Sequence, residues 1–169
     1  MALADQSAPE RYWVITPPIV LALFVLIAIL PWGLPVEARF VMPMLPYVAI
    51  HYWTLNNRGL MPAWLVFLCG LVIDFVTRGP LGFWAMIFLI GQMSALWLSG
   101  SLGATRTRRW LGFFAVVALL GAVQWLTASI YFVTWVDVWP FATGIVVVAC
   151  VYPFFSLALL TRSDEKALS

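Results

Sequence analysis

The sequence predicts an all-α fold, a single bundle of helices crossing a lipid bilayer. Three observations carry that expectation. The chain is 64% hydrophobic and 9% charged, where a soluble domain carries about 25% charged residues, so polar groups are too few to cover a surface facing water. The apolar residues gather into six runs, each near the roughly 20 residues that a helix needs to cross a hydrocarbon core about 30 Å thick. The connections between runs are brief, so neighbouring helices should be antiparallel, and residues 1–169 read as one integral membrane domain with no soluble part.

The first run covers about 13–34, with Pro17 and Pro18 near its start, where a first helical turn tolerates proline. The preceding MALADQSAPERYW carries Asp5 and Glu10. It shows neither the basic opening nor the small-residue cleavage site of a signal peptide, so the first run is expected to stay in the mature protein. The second run, about 38–55, contains Pro43 and Pro46. Each removes a backbone donor and crowds the preceding turn, and in lipid the freed carbonyls need partners in protein or a wet cavity. A kinked or partly broken helix is predicted there, packed among its neighbours. The third run, about 61–76, is short. The fourth covers about 81–102, the fifth about 110–136, long enough to tilt, and the sixth about 138–160. The final SDEKALS is expected to be a mobile tail.

Orientation follows from lysine and arginine in the short loops. With both termini in the cytoplasm, Arg11, Arg58, Arg106, Arg108, Arg109, Arg162 and Lys166 lie inside, seven in all, and only Arg39 and Arg78 lie outside. Six spans agree with both ends on one side. A five-span arrangement, with the second run re-entrant, is the alternative. Trp13, Trp32, Trp53, Trp110, Trp135 and Trp139 fall near run ends, where aromatic rings anchor at the membrane interface. Trp64, Trp84, Trp97 and Trp125 lie deeper, for packing or for a lipid-facing surface.

Several chemistries find no support in the residues. Cys69 and Cys150 sit alone in apolar runs and read as small buried hydrophobes, with no metal-ligand spacing. His51 is the one histidine and reads as a structural aromatic. Ser94, Ser99 and Ser101 lack the GxSxG surroundings of a nucleophile elbow. Asp74, Asp137 and the loop residue Glu37 are too few carboxylates for a metal-dependent phosphotransferase. No catalysis, cofactor, metal or nucleic-acid partner is expected. The basic stretch TRTRRW, with Arg106, Arg108 and Arg109, reads together with Arg58 as a cytoplasmic basic loop that attracts anionic lipid headgroups. Ala115, Ala118, Ala122 and Ser129 share one face of the fifth helix, which is expected to pack inside the bundle. Gln92 and Gln124 could supply interhelical hydrogen bonds.

The most specific stretch is CGLVIDFVTRGPLGFWAMIF, Cys69 to Phe88. Asp74 falls near the outer end of the third helix and Arg78 four positions later, a spacing that would let them pair if the helix runs on that far. On one reading they only mark the end of the span. On the other, Gly70 and Gly82 let another backbone approach closely and Gly79–Pro80 makes the turn. A tight helical hairpin then directs Asp74 into a packed groove, where it bonds loop amides or a partner protein.

GLVID followed by RGPLGFWA resembles the central hairpin of the MreD family, small integral membrane proteins that determine rod shape in bacteria. The preceding LPYVAIHYWTLNNRGLMPAWLVFLCGL is similar to that family's second and third segments, although Arg58–Gly59 stands where the family pattern has Arg–Pro. The resemblance covers about 51–84. It implies a fold related to the substrate-binding membrane subunits of ECF vitamin transporters and a place in the bacterial inner membrane beside MreC, a single-span protein with a periplasmic coiled coil. It also implies a link to the SEDS glycosyltransferase and transpeptidase of cell-wall elongation, in register with MreB. Gly70, Asp74, Pro80 and Gly82 are the motif residues carried over, and Glu37, Arg39, Arg78 and Asp137 would face the periplasmic side. The alternative is a carrier subunit for a vitamin-sized molecule, although Ala22 and Ala28, six apart, do not form the AxxxA docking pattern of such subunits.

Overall fold

The computed structural model describes residues 8–30, 33, 42–56, 58–99 and 105–167, with the backbone alone at 8–14, 58, 106 and 158–167. These residues form α1 (Ala8–Ile29), α2 (Pro46–Asn56), α3 (Ala63–Thr77), α4 (Phe83–Ser99), α5 (Arg106–Phe132) and α6 (Trp139–Ala167), with 3₁₀ turns at Met42–Met44 and Arg58–Leu60. Among them there is no strand. Thr107–Phe132 and Trp139–Leu157 are long and apolar enough to cross a membrane, and Ile15–Ile29, Ala63–Thr77 and Phe83–Ser99 are shorter apolar helices.

Prolines decide the shape of the second run. Pro43 lies in the 3₁₀ turn Met42–Met44, and Pro46 is the first residue of α2, the position where a missing N–H breaks no helical bond. The run is therefore divided, and its α-helical part has 11 residues, about 16 Å at 1.5 Å per residue. Its burial is the fold's organising feature. Pro46 to His51, Trp53 and Thr54 are all buried, and α2 packs against α1, α4 and α6. A short helix can sit at the centre because its neighbours cover it on every side.

Aromatic rings fix how α2 meets the later helices. Tyr47 stacks on Phe113 of α5 at 5.7 Å, and Phe113 stacks on Tyr152 of α6 at 4.1 Å. His51 stands edge-on to Phe113 and Tyr152, at 4.9 and 5.3 Å, so it is the structural aromatic that the sequence suggested. The Tyr47 hydroxyl donates to Gly91 O of α4 at 2.9 Å. A Cβ on Gly91 would overlap the Tyr47 ring and lie 2.9 Å from Leu120 Cδ1, so the glycine makes room for the tyrosine. Gln92 Nε2 donates to Met61 O at 2.7 Å, which ties α4 to the connection between α2 and α3. Gln124 is buried, and its Nε2 has no partner among the described residues.

Several sequence expectations need correction. α1 starts at Ala8, so Pro17 and Pro18 lie in its interior, not its first turn. α5 runs from Arg106 to Phe132 and stops where Val133 turns left-handed, φ 52°, four residues short of the predicted 136. Arg106, Arg108 and Arg109 accordingly form the opening turns of a helix, and not a loop. α6 continues through SDEKA to Ala167, so most of the expected mobile tail is helical. Trp53 is buried at 4% exposure and is no interface anchor. Cys150 is exposed, not buried, and Cys69 is half-buried. Ala115 and Ala122 face outward on α5 with Ala118 between them half-buried, while Ser129 alone of that set is buried. The small-residue face does not pack inside the bundle.

The outside of the bundle is apolar. Trp64, Phe75, Met86, Met93, Trp97, Leu119 and Phe154 are all exposed. Inside and outside differ in packing, not in polarity, and this gives a test. Phe113→Ala removes the ring shared by two stacks and should lower stability by about 3–5 kcal/mol. Trp97→Ala, at a position 83% exposed, should change it by about 0.5 kcal/mol or less. Thermal unfolding in detergent, followed by intrinsic fluorescence, checks both.

Candidate functional site

The third and fourth helices make the most extensive contact in the bundle, and the reason begins at Gly70. A Cβ there would sit 2.5 Å from Ala85 N and closer still to Ala85 Cα. The two backbones therefore touch at Gly70 and Ala85, the close approach that a residue without a side chain permits. Gly82 acts differently. Its φ is +92°, and a Cβ there would meet nothing within 4 Å, so its value is conformational and the expected close approach does not occur at this glycine. Gly79 and Pro80 are exposed in the turn.

α3 ends one residue before that turn. Arg78 adopts the left-handed conformation, φ 54° and ψ 30°. A non-glycine residue there costs about 1–2 kcal/mol, so the surrounding turn must hold it. Thr77 supports the end by donating from Oγ1 to Ile73 O at 2.8 Å. Because Arg78 leaves the helical path, the i, i+4 geometry for pairing with Asp74 is lost. Arg78 is exposed, whereas Asp74 is 0% exposed.

The Asp74 carboxylate instead closes the start of α4. Its Oδ2 accepts from Gly82 N at 2.9 Å and from Ala85 N at 3.5 Å, and its Oδ1 accepts from Trp84 N at 2.9 Å. Phe83 N donates to Pro80 O at 3.2 Å, and Met86 N begins the intrahelical series by donating to Gly82 O. Every backbone donor that a helix start leaves without an internal partner is thus satisfied. The usual device is a Ser, Thr, Asp or Asn at the cap position itself. That position is held by Gly82, which has no side chain, so an aspartate eight residues earlier on the neighbouring helix does the work. The negative charge also lies at the positive end of the α4 dipole. Of the fates the sequence allowed Asp74, a boundary pair with Arg78, loop amides or a partner, the geometry takes the amides, and both carboxylate oxygens are occupied.

The other candidate residues do not join this cluster. Asp137 is exposed and accepts from Trp139 N at 3.2 Å as α6 begins. Beside it, Trp125 of α5 donates from Nε1 to Val136 O at 2.9 Å and stacks on Trp135 at 5.5 Å, which fastens the α5–α6 connection. Glu37 and Arg39 lie outside the described residues. Arg58 belongs to the 3₁₀ turn after α2 and Arg106 to the first turn of α5, both by backbone alone. Arg108 is exposed, and Arg109 donates from Nη1 to Asn56 Oδ1 at 3.1 Å. Arg109 therefore joins the start of α5 to the end of α2. Sequence reasoning missed this tie, since nothing in the spacing of Asn56 and Arg109 announces it. Among the described residues no three His, Cys, Asp or Glu side chains come together. His51, Trp53 and Thr54 carry buried polar atoms without partners among the described residues.

Comparison with protein-family models, with curated proteins and with solved structures finds no match to this chain. The site therefore stands on its own geometry, a helical hairpin locked by a buried carboxylate and a glycine contact.

Substitutions separate those two locks. Asp74→Leu leaves three amides without acceptors and should cost about 3 kcal/mol or more. Asp74→Asn keeps one acceptor oxygen but turns an NH₂ toward a donor, and should cost less than leucine. Gly70→Ala should cost about 1–3 kcal/mol by forcing the backbones apart, and Gly82→Ala about 1–2 kcal/mol from φ alone. Unfolding midpoints in detergent rank the four. Equal midpoints for Asp74→Leu and wild type would show that the cap does not hold the hairpin.

Proposed function

We propose that this chain is a multi-pass membrane scaffold of the MreD kind, a protein that binds MreC in the bacterial inner membrane. In that role it supports the SEDS glycosyltransferase and transpeptidase of cell-wall elongation, in register with MreB, and helps maintain rod shape. The observation that carries the reading is the hairpin. The stretch GLVID–RGPLGFWA, which bears the family resemblance, is where side chains are spent on holding one backbone shape. Asp74 caps α4, Gly70 meets Ala85, and Gly82 takes a positive φ. A rigid turn of that kind suits a surface presented to other proteins.

The membrane arrangement belongs to the same proposal. Six spans place the α3–α4 and α5–α6 turns on the periplasmic side and Arg58, Arg106, Arg108 and Arg109 in the cytoplasm, with the second span crossing as a 3₁₀ turn followed by a short helix. The exposed rings of Trp135 and Trp139 then lie at the outer interface, where tryptophan is favoured. The turn residues Arg78 and Asp137 are exposed and face the periplasmic part of the assembly, while Asp74 shapes that surface from below without touching a partner. A vitamin carrier remains the rival function, and the two make opposite demands on the outside of the bundle.

The outward Ala115 and Ala122 provide the test, because small residues allow a second transmembrane helix to come close. Ala115→Leu together with Ala122→Leu should leave the unfolding midpoint unchanged and reduce co-purification of MreC from detergent-solubilised membranes by about tenfold, roughly 1.4 kcal/mol. Depleting the protein in a rod-shaped host should give rounded cells. Normal rods with a nutrient requirement, or stabilisation of the purified protein by a vitamin-sized molecule, would replace the scaffold with the carrier.

A further inference from the structure

Buried polar atoms without a hydrogen-bond partner are unevenly spread over the bundle. Among the described residues four side chains carry them, and three of these, His51, Trp53 and Thr54, lie in the second half of α2. The same residue types find partners elsewhere. Thr77, Thr127 and Thr143 each donate to the carbonyl four residues back, at 2.8, 2.8 and 3.0 Å. Trp110 and Trp125 donate to Ala149 O and Val136 O. Thr54 and Trp53 make no such bond, and both ring nitrogens of His51 are bare. A neutral imidazole has one donor and one acceptor to satisfy. Each unmet group raises the free energy of the closed packing relative to any state in which it meets water.

The chain on either side of these residues is pinned. Tyr47 donates to Gly91 O and Gln92 donates to Met61 O. Two adjacent residues of α4 thus hold the start of α2 and the residue that follows the 3₁₀ turn Arg58–Leu60. Between those points the tie is of another kind. Arg109 of α5 donates to Asn56 Oδ1, and that bond is exposed, so water competes for both partners. His51 is held by the rings of Phe113 and Tyr152 and not by a hydrogen bond. Asn56 itself is exposed, and Thr54 and His51 lie only about 3 and 8 Å from it along the helix axis.

We propose that residues 51–56 are a moving element built into the fold. The second half of α2 opens at its exposed end, with Tyr47–Gly91 and Gln92–Met61 as fixed points and the Arg109–Asn56 bond as its catch. In the closed state packing covers His51, Trp53 and Thr54. In the open state these side chains reach the polar end of the bundle, where Asn56 and Arg108 are exposed, and their polar atoms are hydrated. The free-energy gap between the two states sets how often a segment opens locally, and the unmet atoms narrow that gap. A histidine enclosed by membrane-spanning helices is by default a working residue, and opening gives this one access to water. The inference needs neither MreC nor a particular number of spans, so its failure would leave the scaffold reading untouched.

Hydrogen–deuterium exchange of the full chain in neutral detergent, read by mass spectrometry, tests this. Amides of 51–56 should exchange sooner than those of 66–73 in α3 and 85–91 in α4. Thr54→Val keeps the shape and removes the unpaired hydroxyl, and should slow exchange of 51–56 about fivefold. His51→Phe keeps a ring among the aromatics and should slow it too. An ordinary fraying helix end gains no protection from losing these polar atoms. Asn56→Ala releases the catch and should speed exchange of 51–56 about threefold or more, with 66–73 unchanged. Slowing in either Thr54→Val or His51→Phe supports the proposal, and slowing in neither overturns it. Exchange of 51–56 as late as that of 66–73 in the wild type would also overturn it, as would an Asn56→Ala variant that exchanges like the wild type.

Discussion

The bonds from three α4 amides to the Asp74 carboxylate are the constraint from which the rest of the arrangement follows. A helix that starts within an apolar bundle has no water to satisfy its first donors, and each one left bare costs on the order of 1–3 kcal/mol. Placing the acceptor on α3 makes the start of α4 conditional on α3 being alongside. The two helices must then lie close, which Gly70 permits at Ala85, and the turn must pass through two positive-φ residues, Arg78 and Gly82. Carboxylate, glycine contact and turn are parts of one solution. α4 in turn touches α2 and α5 as well as α3, so fixing its start fixes the helix on which most of the bundle leans.

A second constraint acts at the centre. α2 is short, cut off from the preceding 3₁₀ turn at Pro46, and its neighbours enclose it. Its inward rings are matched to spaces elsewhere, Tyr47 to Gly91 and to the Phe113–Tyr152 stack. Where polar side chains enter this interior they either bond backbone carbonyls, as Tyr47 and Gln92 do, or remain without partners among the described residues, as His51 and Thr54 do. The first kind specifies register. The second kind is costly to bury, and the aromatic packing around His51 has to offset that cost.

For function, the consequence is a division of labour between residues that shape the molecule and residues that are offered to others. Asp74 belongs to the first group, although the sequence left a role in partner binding open to it. The arginines at the start of α5 belong partly to each, since Arg109 ties two helices together and Arg108 stays exposed. The outward alanines of α5 occupy a surface that no described residue covers.

Much of the plan was legible in the residues themselves. Composition pointed to apolar helices, run lengths located them to within a few residues at most ends, and Pro43 and Pro46 announced the broken second segment. Gly79–Pro80 marked the hairpin, and the sequence left Asp74 open between a span-end pair with Arg78, loop amides and a partner. It did not say which helix faces turn inward. A helix that is apolar on all sides has no polar face to orient it, so nothing in the periodicity of α5 could reveal that Ala115 and Ala122 point outward while Gln124 points in. Those rotations come from shape, from a glycine under a ring or against a backbone, and shape complementarity between distant segments exists only once the chain has folded. The choice of amides for Asp74, the tie between Asn56 and Arg109 and the left-handed turn at Arg78 were decided there too, because each depends on atoms brought together by the tertiary packing.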